Sequence, residues 1–406
     1  MGRRLLTSLL FAALVAAAAA TGAGAASAAP SAATWDTAQI RTVVAAGMMD
    51  ARSVASFRGA DPLTAQELED LAFDLKARLA ETEPEPLVPP VDTGPTTTTT
   101  PTTTDPTTTT VPATTTTTAP TTTTQPTTTT APTTTTPGAP KQVPDPDKPV
   151  TMTQLDLRLV QMLGLGKAAN EFAAGARAAG LKVPGRFGTE VVARLIGLRY
   201  NHPASDDSLE LRPQDTATRA EAAFSAADIL GFRGWEVPQV QALADAFSLP
   251  ALTDWQKQIL TAAFSHIGMP YIWGGTSDGT ETEFGVTSRG GYDCSGFVWR
   301  VYKETPFPNE GDLASVLQGR TTYVMSGEVP KSKRIPLAKL QPADVVFFGD
   351  KGPRSQPAQV GHMGIYVGNG WFINSSSYGV ALAQLQGWYE HEFAWGRRPL
   401  AEAGLE

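Results

Sequence analysis

The side chain with the clearest potential for chemistry is Cys294, the only cysteine among 406 residues. It follows Asp293 in the sequence GYDCSGFV, and the apolar residues after it recur at helical spacing. Asp293 is a suitable N-cap, so Cys294 is predicted in the first turn of a helix, where free N–H groups and the helix dipole favour a thiolate. A single cysteine cannot form a disulfide within the chain, which leaves a nucleophile or a buried apolar thiol as the two open interpretations.

The candidate base for this thiol is His362, in the sequence VGHMGIYVG. Alternating apolar residues predict a strand there, Asn369-Gly370 predicts a hairpin turn, and the following WFIN predicts the returning strand. A three-residue loop places Asn374 opposite Gly364 on the face of His362, whereas a strict two-residue turn places it on the other face. The spacing therefore permits a Cys-His-Asn arrangement, in which a polar third residue orients the imidazole.

The elements that must position these residues are visible in the last third of the chain. Residues 254–267 have the pattern of an amphipathic helix, and residues 340–348 read as a turn followed by a buried strand. A helix that carries the nucleophile would then pack on an antiparallel strand meander that carries the base. This is a papain-like α+β arrangement.

Four motifs in this region, about residues 253–400, resemble the NlpC-type family of bacterial cell-wall cysteine peptidases. They are YIWGG at 271–275, YDCSG at 292–296, the turn and strand at 340–348, and GHMGIYVG at 361–368. The resemblance implies that Cys294 is the nucleophile, His362 the base and Asn374 the third residue. The family more often has histidine at that third position, but an asparagine oxygen can also accept from the imidazole N–H.

The same resemblance implies which residues contact the substrate and which bond is cut. It suggests that Tyr271, Asp293 and Ser295 line the site, and that the carboxylate of Asp293 meets an amine of a peptidoglycan stem peptide. The bond that is cut would be the amide between D-γ-glutamyl and a diamino acid, or a neighbouring stem-peptide bond. Hydrolysis would pass through an acyl-thioester, with the backbone N–H of Cys294 as one oxyanion donor.

The first part of the chain predicts export and a spacer. Two arginines, an apolar stretch and small residues indicate a signal peptide over residues 1–28. Residues 84–149 are predicted to be a disordered linker, because Pro95 to Pro137 is almost entirely Thr and Pro and has nothing to bury.

Helical repeat-like segments are predicted on both sides of the linker, over residues 35–83 and 150–250. Capping-box spacings are expected at Thr64-Ala-Gln-Glu, Thr153-Gln-Leu-Asp and Thr218-Arg-Ala-Glu. The last of these resembles the surface-layer homology repeat, and about residues 36–80 and 150–232 are identified as divergent copies. That resemblance implies binding of a cell-wall polysaccharide; the alternative is a helical domain that only packs or spaces.

Composition narrows the remaining function classes. A net charge of −8 without a block of Lys and Arg argues against nucleic acid as a partner. With four histidines and one cysteine, no metal-ligand cluster and no cofactor are expected. No segment after the signal is apolar enough for a transmembrane helix, so the mature chain is expected to be secreted and associated with the cell wall.

Together these observations predict a secreted peptidoglycan endopeptidase with a papain-like cysteine peptidase domain over residues 251–400. Two alternatives stay open. One is a non-catalytic wall-binding or structural protein whose peptidase fold has lapsed. The other is an amidase or acyltransferase on the same fold, since a thioester can be resolved by other nucleophiles.

Overall fold

The computed structural model describes residues 35–50, 52–81 and 139–406. The predicted signal peptide and residues 84–138 of the predicted linker lie outside the described residues. No helix in the described ranges has the length and apolar character needed to cross a membrane.

Among the described residues, seven α-helices precede the predicted peptidase region. They are α1 Thr37–Ala45, α2 Ala65–Glu81, α3 Met152–Met162, α4 Gly166–Ala178, α5 Phe187–Leu195, α6 Arg219–Leu230 and α7 Glu236–Ala246. Each of α2, α3 and α6 begins immediately after a threonine whose hydroxyl accepts a hydrogen bond from the backbone N–H three residues later. These N-caps satisfy donors that the first helical turn leaves free.

The predicted capping boxes are only partly correct. Thr64 and Glu67 form the complete reciprocal box at the start of α2. The prediction of a box at Thr153 is wrong, because Thr151 caps α3 and the Thr153 hydroxyl donates to the carbonyl of Pro213 at 2.9 Å. The hydroxyl of Thr218 caps α6 as expected.

The three helix starts are joined by a closed ring of backbone hydrogen bonds. Leu63 donates to the carbonyl of Ala217 at 2.8 Å, Ala217 donates to Val150 at 2.9 Å, and Val150 donates to Leu63 at 3.0 Å. Each of these residues directly precedes a capping threonine, so three equivalent segments meet around one approximate threefold centre. The starts of α2, α3 and α6 in the predicted helical repeats therefore share one arrangement.

The described residues on the two sides of the Thr/Pro run contact each other. Residues 139–149, which the sequence assigned to the linker, approach the start of α2, where Ala65 donates to the carbonyl of Lys148 at 2.9 Å and Val143 donates to the side chain of Gln66 at 3.1 Å. The described residues from 36 onward fall in one compact unit. Residues 139–149 therefore lie against the beginning of α2.

The carboxyl-terminal region combines short helices with an antiparallel sheet, as the predicted α+β class requires. Its elements are α8 Asp254–Ser265, β1 Thr276–Ser277, β2 Glu281–Glu283, β3 Val286–Ser288, β4 Gly291–Tyr292, α9 Cys294–Trp299, α10 Leu313–Val316, α11 Thr322–Gly327, β5 Val345–Gly349, β6 Val360–Gly368, β7 Trp371–Ser376, β8 Gly379–Gln384, α12 Trp388–Glu392, β9 Phe393–Arg397 and α13 Pro399–Glu402. Five strands form the main sheet in the order β8-β7-β6-β5-β9.

Helix α9 packs on this sheet through its apolar residues. Phe297 and Val298 are fully buried, as is Val301 just after the helix, and all three belong to the same core as Met363 and Ile365 of β6. This packing brings the amino-terminal end of α9 to the beginning of β6. Papain-like topology is therefore confirmed.

The helical repeats dock tightly on this region. Arg194 of α5 donates to the carbonyl of Gly268 at 2.7 Å, and Arg186 donates to the carbonyl of Ser265 at 2.8 Å. Behind the sheet, the ring of Trp371 meets Phe172 and Phe247 edge-on, with centroids 5.8 and 5.4 Å away. Because the Arg194 contact and the rings around Trp371 are buried, the repeats form one wall of the peptidase region.

Candidate active site

Cys294 is the first residue of α9, as the sequence predicts. The carboxylate of Asp293 accepts from the backbone N–H of Gly296 at 2.5 Å, which fixes the helix start. The thiol is 8% exposed, and its Sγ lies 3.3 Å from the hydroxyl of Thr322 on α11. The backbone N–H of Met363 is near enough to the sulfur to lower the pKa of Cys294. Since Met363 follows His362, the sulfur lies at the segment of β6 that carries the predicted base.

His362 and Asn374 are joined directly. Nε2 of His362 lies 3.0 Å from Oδ1 of Asn374, while the Asn374 amide donates to the carbonyl of Ala381 at 3.4 Å. With its NH₂ group directed at that carbonyl, Asn374 presents an oxygen to the imidazole, and an oxygen can only accept. The proton therefore resides on Nε2, and Nδ1 keeps the lone pair that a general base needs.

The shared face of His362 and Asn374 depends on a bulge. Asn369 and Gly370 form a two-residue turn, with Gly368 opposite Trp371, but the register shifts next to it so that Ile365 lies opposite Ile373. Without this shift, Asn374 would point to the opposite face, because side chains alternate along a strand. The structure thus has a two-residue turn, but its strands pair in the register that was expected for a three-residue loop.

The neutral forms of the thiol and the imidazole are favoured in this arrangement. Burial, together with the negative charge of Asp293, raises the pKa of Cys294 to about 11. Burial lowers the pKa of His362 to about 4, and the bond to Asn374 only partly offsets this. The expectation of a favoured thiolate is therefore wrong, because desolvation of the sulfur outweighs the helix terminus. Among the hydrogen bonds of the described residues, none joins Sγ to the imidazole.

Aromatic rings supply the burial around His362. The rings of Phe348 and Tyr389 have centroids 5.7 and 6.0 Å from the imidazole. They leave it half-buried and shield it from bulk water, which disfavours the imidazolium.

Asp293 and Ser295 are held by an arginine that the sequence reading did not identify. Arg320 donates to the carboxylate of Asp293 at 3.1 Å, to the Ser295 hydroxyl at 2.8 Å and to the carbonyl of Gly274 at 2.7 Å. Ser295 also donates to Asp293 at 2.9 Å. The negative charge that was expected to meet an amine is therefore partly neutralised within the protein. Arg320 lies in an irregular stretch, and no periodicity or motif marked it.

Tyr271 lies beside this network. Burial, and to a smaller extent the acidic groups of Cys294 and Asp293 nearby, raise the pKa of Tyr271 well above its ordinary value, so its hydroxyl remains a hydrogen-bond donor. Two residues on, the backbone N–H of Trp273 donates to Asp207 at 3.0 Å. Asp207 precedes the peptidase region, so the helical half holds the backbone two residues after Tyr271.

Within the described ranges, no three His, Cys, Asp or Glu side chains gather in a way that could hold a metal ion. The chemistry available in this region is that of a buried thiol, a neutral imidazole with a free Nδ1, and neighbouring backbone N–H donors.

A protein-family model matches the part of the chain that contains this site. The model of the NlpC/P60 family matches residues 268–398. This stretch belongs to that family. It contains Tyr271, Cys294, His362 and Asn374, and the elements from β1 to β9 lie within it. The match does not cover the helical repeats.

Curated relatives are similar over the same stretch. The chain is 30% identical over 147 residues to the bifunctional muramidase/DL-endopeptidase CwlT of Bacillus subtilis, with 36% of this chain and 37% of CwlT covered. It is 30% identical over 152 residues to the murein DD-endopeptidase MepH of Escherichia coli, with 37% and 48% covered. The probable peptidoglycan endopeptidase LytE of Bacillus subtilis is 35% identical over 133 residues, with 33% and 31% covered. The chain thus spans less than half the length of each of these relatives.

Solved structures align with the same part of the chain. The NlpC/p60 domain of the peptidoglycan hydrolase SagA is 21% identical, with 35% of this chain and 97% of that domain covered and a TM-score of 0.25. The peptidoglycan hydrolase RipB of Mycobacterium tuberculosis is 22% identical, with 36% and 64% covered and a TM-score of 0.26. These scores are too low to carry an argument.

Proposed function

We propose that this chain is a secreted, wall-associated peptidoglycan endopeptidase that hydrolyses an amide bond of the stem peptide with Cys294, His362 and Asn374. The observation that carries the proposal is the 3.0 Å contact between His362 Nε2 and Asn374 Oδ1. The residue after His362, Met363, has its backbone N–H near the thiol of Cys294. That geometry leaves Nδ1 as the proton acceptor for the only cysteine. Membership of residues 268–398 in the NlpC/P60 family supports the substrate class.

The chemical steps follow from the protonation states. His362 Nδ1 removes the thiol proton as Sγ attacks the amide carbonyl carbon, and the new oxyanion accepts from the backbone N–H of Cys294. The imidazolium then gives that proton to the leaving amine, so the C–N bond breaks and an acyl-thioester remains. Water, deprotonated by Nδ1, attacks the thioester and releases a carboxylate together with the restored thiol.

The neutral state of both Cys294 and His362 determines when the proton must move. Since the free thiol has a pKa of about 11, proton transfer to His362 must accompany the attack instead of preceding it. The contact with Thr322 and the N–H of Met363 both lower the thiol pKa, and both would support the negative sulfur as it develops. His362, Thr322 and the N–H of Met363 thus all act on Sγ of Cys294.

The bond that is cut is proposed to be that between D-γ-glutamyl and the diamino acid. The name of CwlT specifies a DL-endopeptidase and that of MepH a DD-endopeptidase, so relatives of similar identity are named for different bonds. Mass spectrometry of fragments from purified peptidoglycan identifies the bond. A new carboxyl terminus on γ-glutamate is the expected product, whereas a new terminus on D-alanine would reassign the specificity.

Binding to a wall polysaccharide by the repeats is a second part of the proposal. Its support is the resemblance to surface-layer homology repeats and the threefold arrangement of helix starts. Arg219 of the Thr-Arg-Ala-Glu motif donates to the carbonyls of Phe57 and Met49 at 3.0 and 2.8 Å, so it serves the packing and other surface residues must contact the polymer. Retention on purified walls tests this part, with recovery of the protein in the unbound fraction as the contradicting result.

The experiment that separates an enzyme from a lapsed peptidase fold compares the wild-type chain with Cys294→Ala. We expect the wild type to release stem-peptide fragments from purified walls, and Cys294→Ala to bind those walls without releasing any. Binding without fragments by the wild type would favour a structural protein. Products in which an added amine replaces water would favour an acyltransferase.

A further inference from the structure

A cavity of about 730 Å³ lies beside β9, an edge strand of the main sheet. Residues 331–338 run along this strand, where Ile335 donates to the carbonyl of Gly396 at 3.0 Å and accepts from its N–H at 2.7 Å. Residues 352–356 pack against α12, since an added Cβ at Gly352 would lie 2.8 Å from the carbonyl oxygen of His391. These segments line a space large enough for an organic ligand.

The charged side chains that line this cavity are mostly cationic. Lys331, Arg334 and Arg354 contribute positive charges and Glu390 contributes one negative charge, which gives the lining a net charge of +2 in a chain whose formal charge is −8. None of these four side chains forms an ion pair with another of the described residues. The positive charge of the cavity is therefore not neutralised within the part of the chain that the structure describes.

Arg334 is held against an aromatic ring. Its guanidinium carbon lies 3.4 Å from the centroid of the Trp395 ring, in a cation–π contact. Its Nε is buried and has no hydrogen-bond partner among the described residues, and the same is true of the indole N–H of Trp395, which is only 2% exposed. Burial lowers the pKa of Arg334, and no carboxylate of the described residues offsets this. A partly desolvated cation without a counter-charge costs free energy, which a bound anion would recover.

The charge of the lining distinguishes between the anions that an arginine binds well. A guanidinium presents paired N–H donors that match two oxygens of either a carboxylate or a phosphate. A carboxylate brings a single negative charge, whereas a phosphate monoester carries about −1.5 to −2 at neutral pH. The phosphate therefore matches the net charge of +2, and its third oxygen is available to Lys331 or Arg354, which line the same cavity as Arg334.

Most of the remaining lining is apolar. The apolar residues include Ile335, Pro336, Leu337, Pro353, Phe393 and Ala394. The two prolines have a fixed φ, which restricts the loops that carry them. An inorganic anion alone would leave most of these side chains without a contact, whereas an apolar group would bury them. A ligand that fills the cavity therefore joins a phosphate group to an apolar body.

We propose that this cavity is a binding site for a phosphate monoester with an apolar body, whose phosphate group is bound by Arg334, Lys331 and Arg354. Neither Cys294 nor His362 lines the cavity. The inference is therefore independent of the proposed hydrolysis, and a chain that cleaves no peptidoglycan could still bind this ligand.

Calorimetry of the full chain with hexyl phosphate tests the site. We expect binding that Arg334→Gln or Arg354→Gln weakens about tenfold or more, since each substitution removes a charged donor to the phosphate. Lys333→Gln is the matched control, because Lys333 is exposed on the same segment but does not line the cavity, and it should change the affinity by less than about twofold. Hexanoate should bind more weakly because of its smaller charge, and inorganic phosphate because it has no chain.

Several results would overturn the site: no binding of hexyl phosphate, binding unchanged in both arginine variants, or binding weakened equally by Lys333→Gln. Thermal unfolding of each variant checks its fold, and Arg354→Gln tests the site even if Arg334→Gln is unstable, because Arg354 is exposed. Hexanoate that binds as tightly as hexyl phosphate would overturn the assignment to a phosphate.

A second measurement distinguishes a lipid headgroup from a soluble phosphate ester. The chain is sedimented with phosphatidylcholine vesicles that either contain or lack phosphatidic acid. Retention that requires both phosphatidic acid and Arg334 would assign the site to a membrane lipid. Binding of hexyl phosphate without such retention would assign it to a soluble ester.

Discussion

Replacement of Asn374 by alanine isolates the contribution of the third residue. The substitution removes the oxygen 3.0 Å from His362 Nε2, at a position with no solvent exposure. An imidazole N–H left without its acceptor in such a site costs about 1–3 kcal/mol, and it can recover this by moving the proton to Nδ1, where it blocks the base. At about 1.4 kcal/mol per factor of ten, kcat should fall roughly 5- to 150-fold.

The assay is steady-state hydrolysis of a soluble stem peptide, with thermal unfolding of each variant measured in parallel. KM should change little, because Asn374 contacts the base and not the scissile bond. Asn374→Asp is the matched control, since it keeps an acceptor of the same shape and adds a charge that raises the pKa of His362. Its activity should exceed that of Asn374→Ala. A folded alanine variant with kcat within a factor of two of the wild type would refute the orienting role, as would a loss as complete as that of Cys294→Ala.

Three further predictions follow from the contacts. Activity should decline as the pH falls through about 4, where His362 becomes protonated and can no longer accept the thiol proton, and a decline centred near 6.5 would show that burial does not govern it. Thr322→Val removes a bond that lowers the pKa of Cys294, so alkylation of the thiol by iodoacetamide at fixed pH should slow; faster alkylation would mean that Thr322 only shields the sulfur. Arg219→Ala leaves the carbonyls of Phe57 and Met49 without their donor and should lower the free energy of unfolding by about 2–4 kcal/mol in denaturant titration. Arg58→Ala removes only an exposed ion pair and should lower it by less than about 1 kcal/mol. Equal effects of the two arginine variants would contradict the packing role of Arg219.

The local elements of the peptidase region were predictable because their signals are local. The N-cap at Asp293 and the helix after it, the strand of His362 and the turn at Asn369 all follow from residue types within a few positions. The face of Asn374 did not follow, since it depends on a bulge beside the turn. A bulge adds one residue to one strand and leaves no clear mark in the apolar pattern.

The features of the site that the sequence did not predict depend on contacts between residues far apart in the chain. Arg320 reaches Asp293 from 27 positions away, and Asp207 reaches the substrate side from the helical half. Burial reversed the expected charge state of Cys294, because desolvation depends on residues packed around the thiol from several elements. The threefold ring of backbone bonds also joins residues far apart in sequence, so the capping motifs predicted helix starts but not their assembly.

The central claim is that Cys294 forms an acyl-thioester with a stem peptide. Intact-mass spectrometry of the protein, quenched in acid during turnover of a purified stem peptide, tests it most directly. The account predicts a mass increase equal to the acyl fragment, located on the peptide that contains Cys294, lost on incubation at neutral pH and missing from Cys294→Ala. Product formation at the same rate by Cys294→Ala would contradict it.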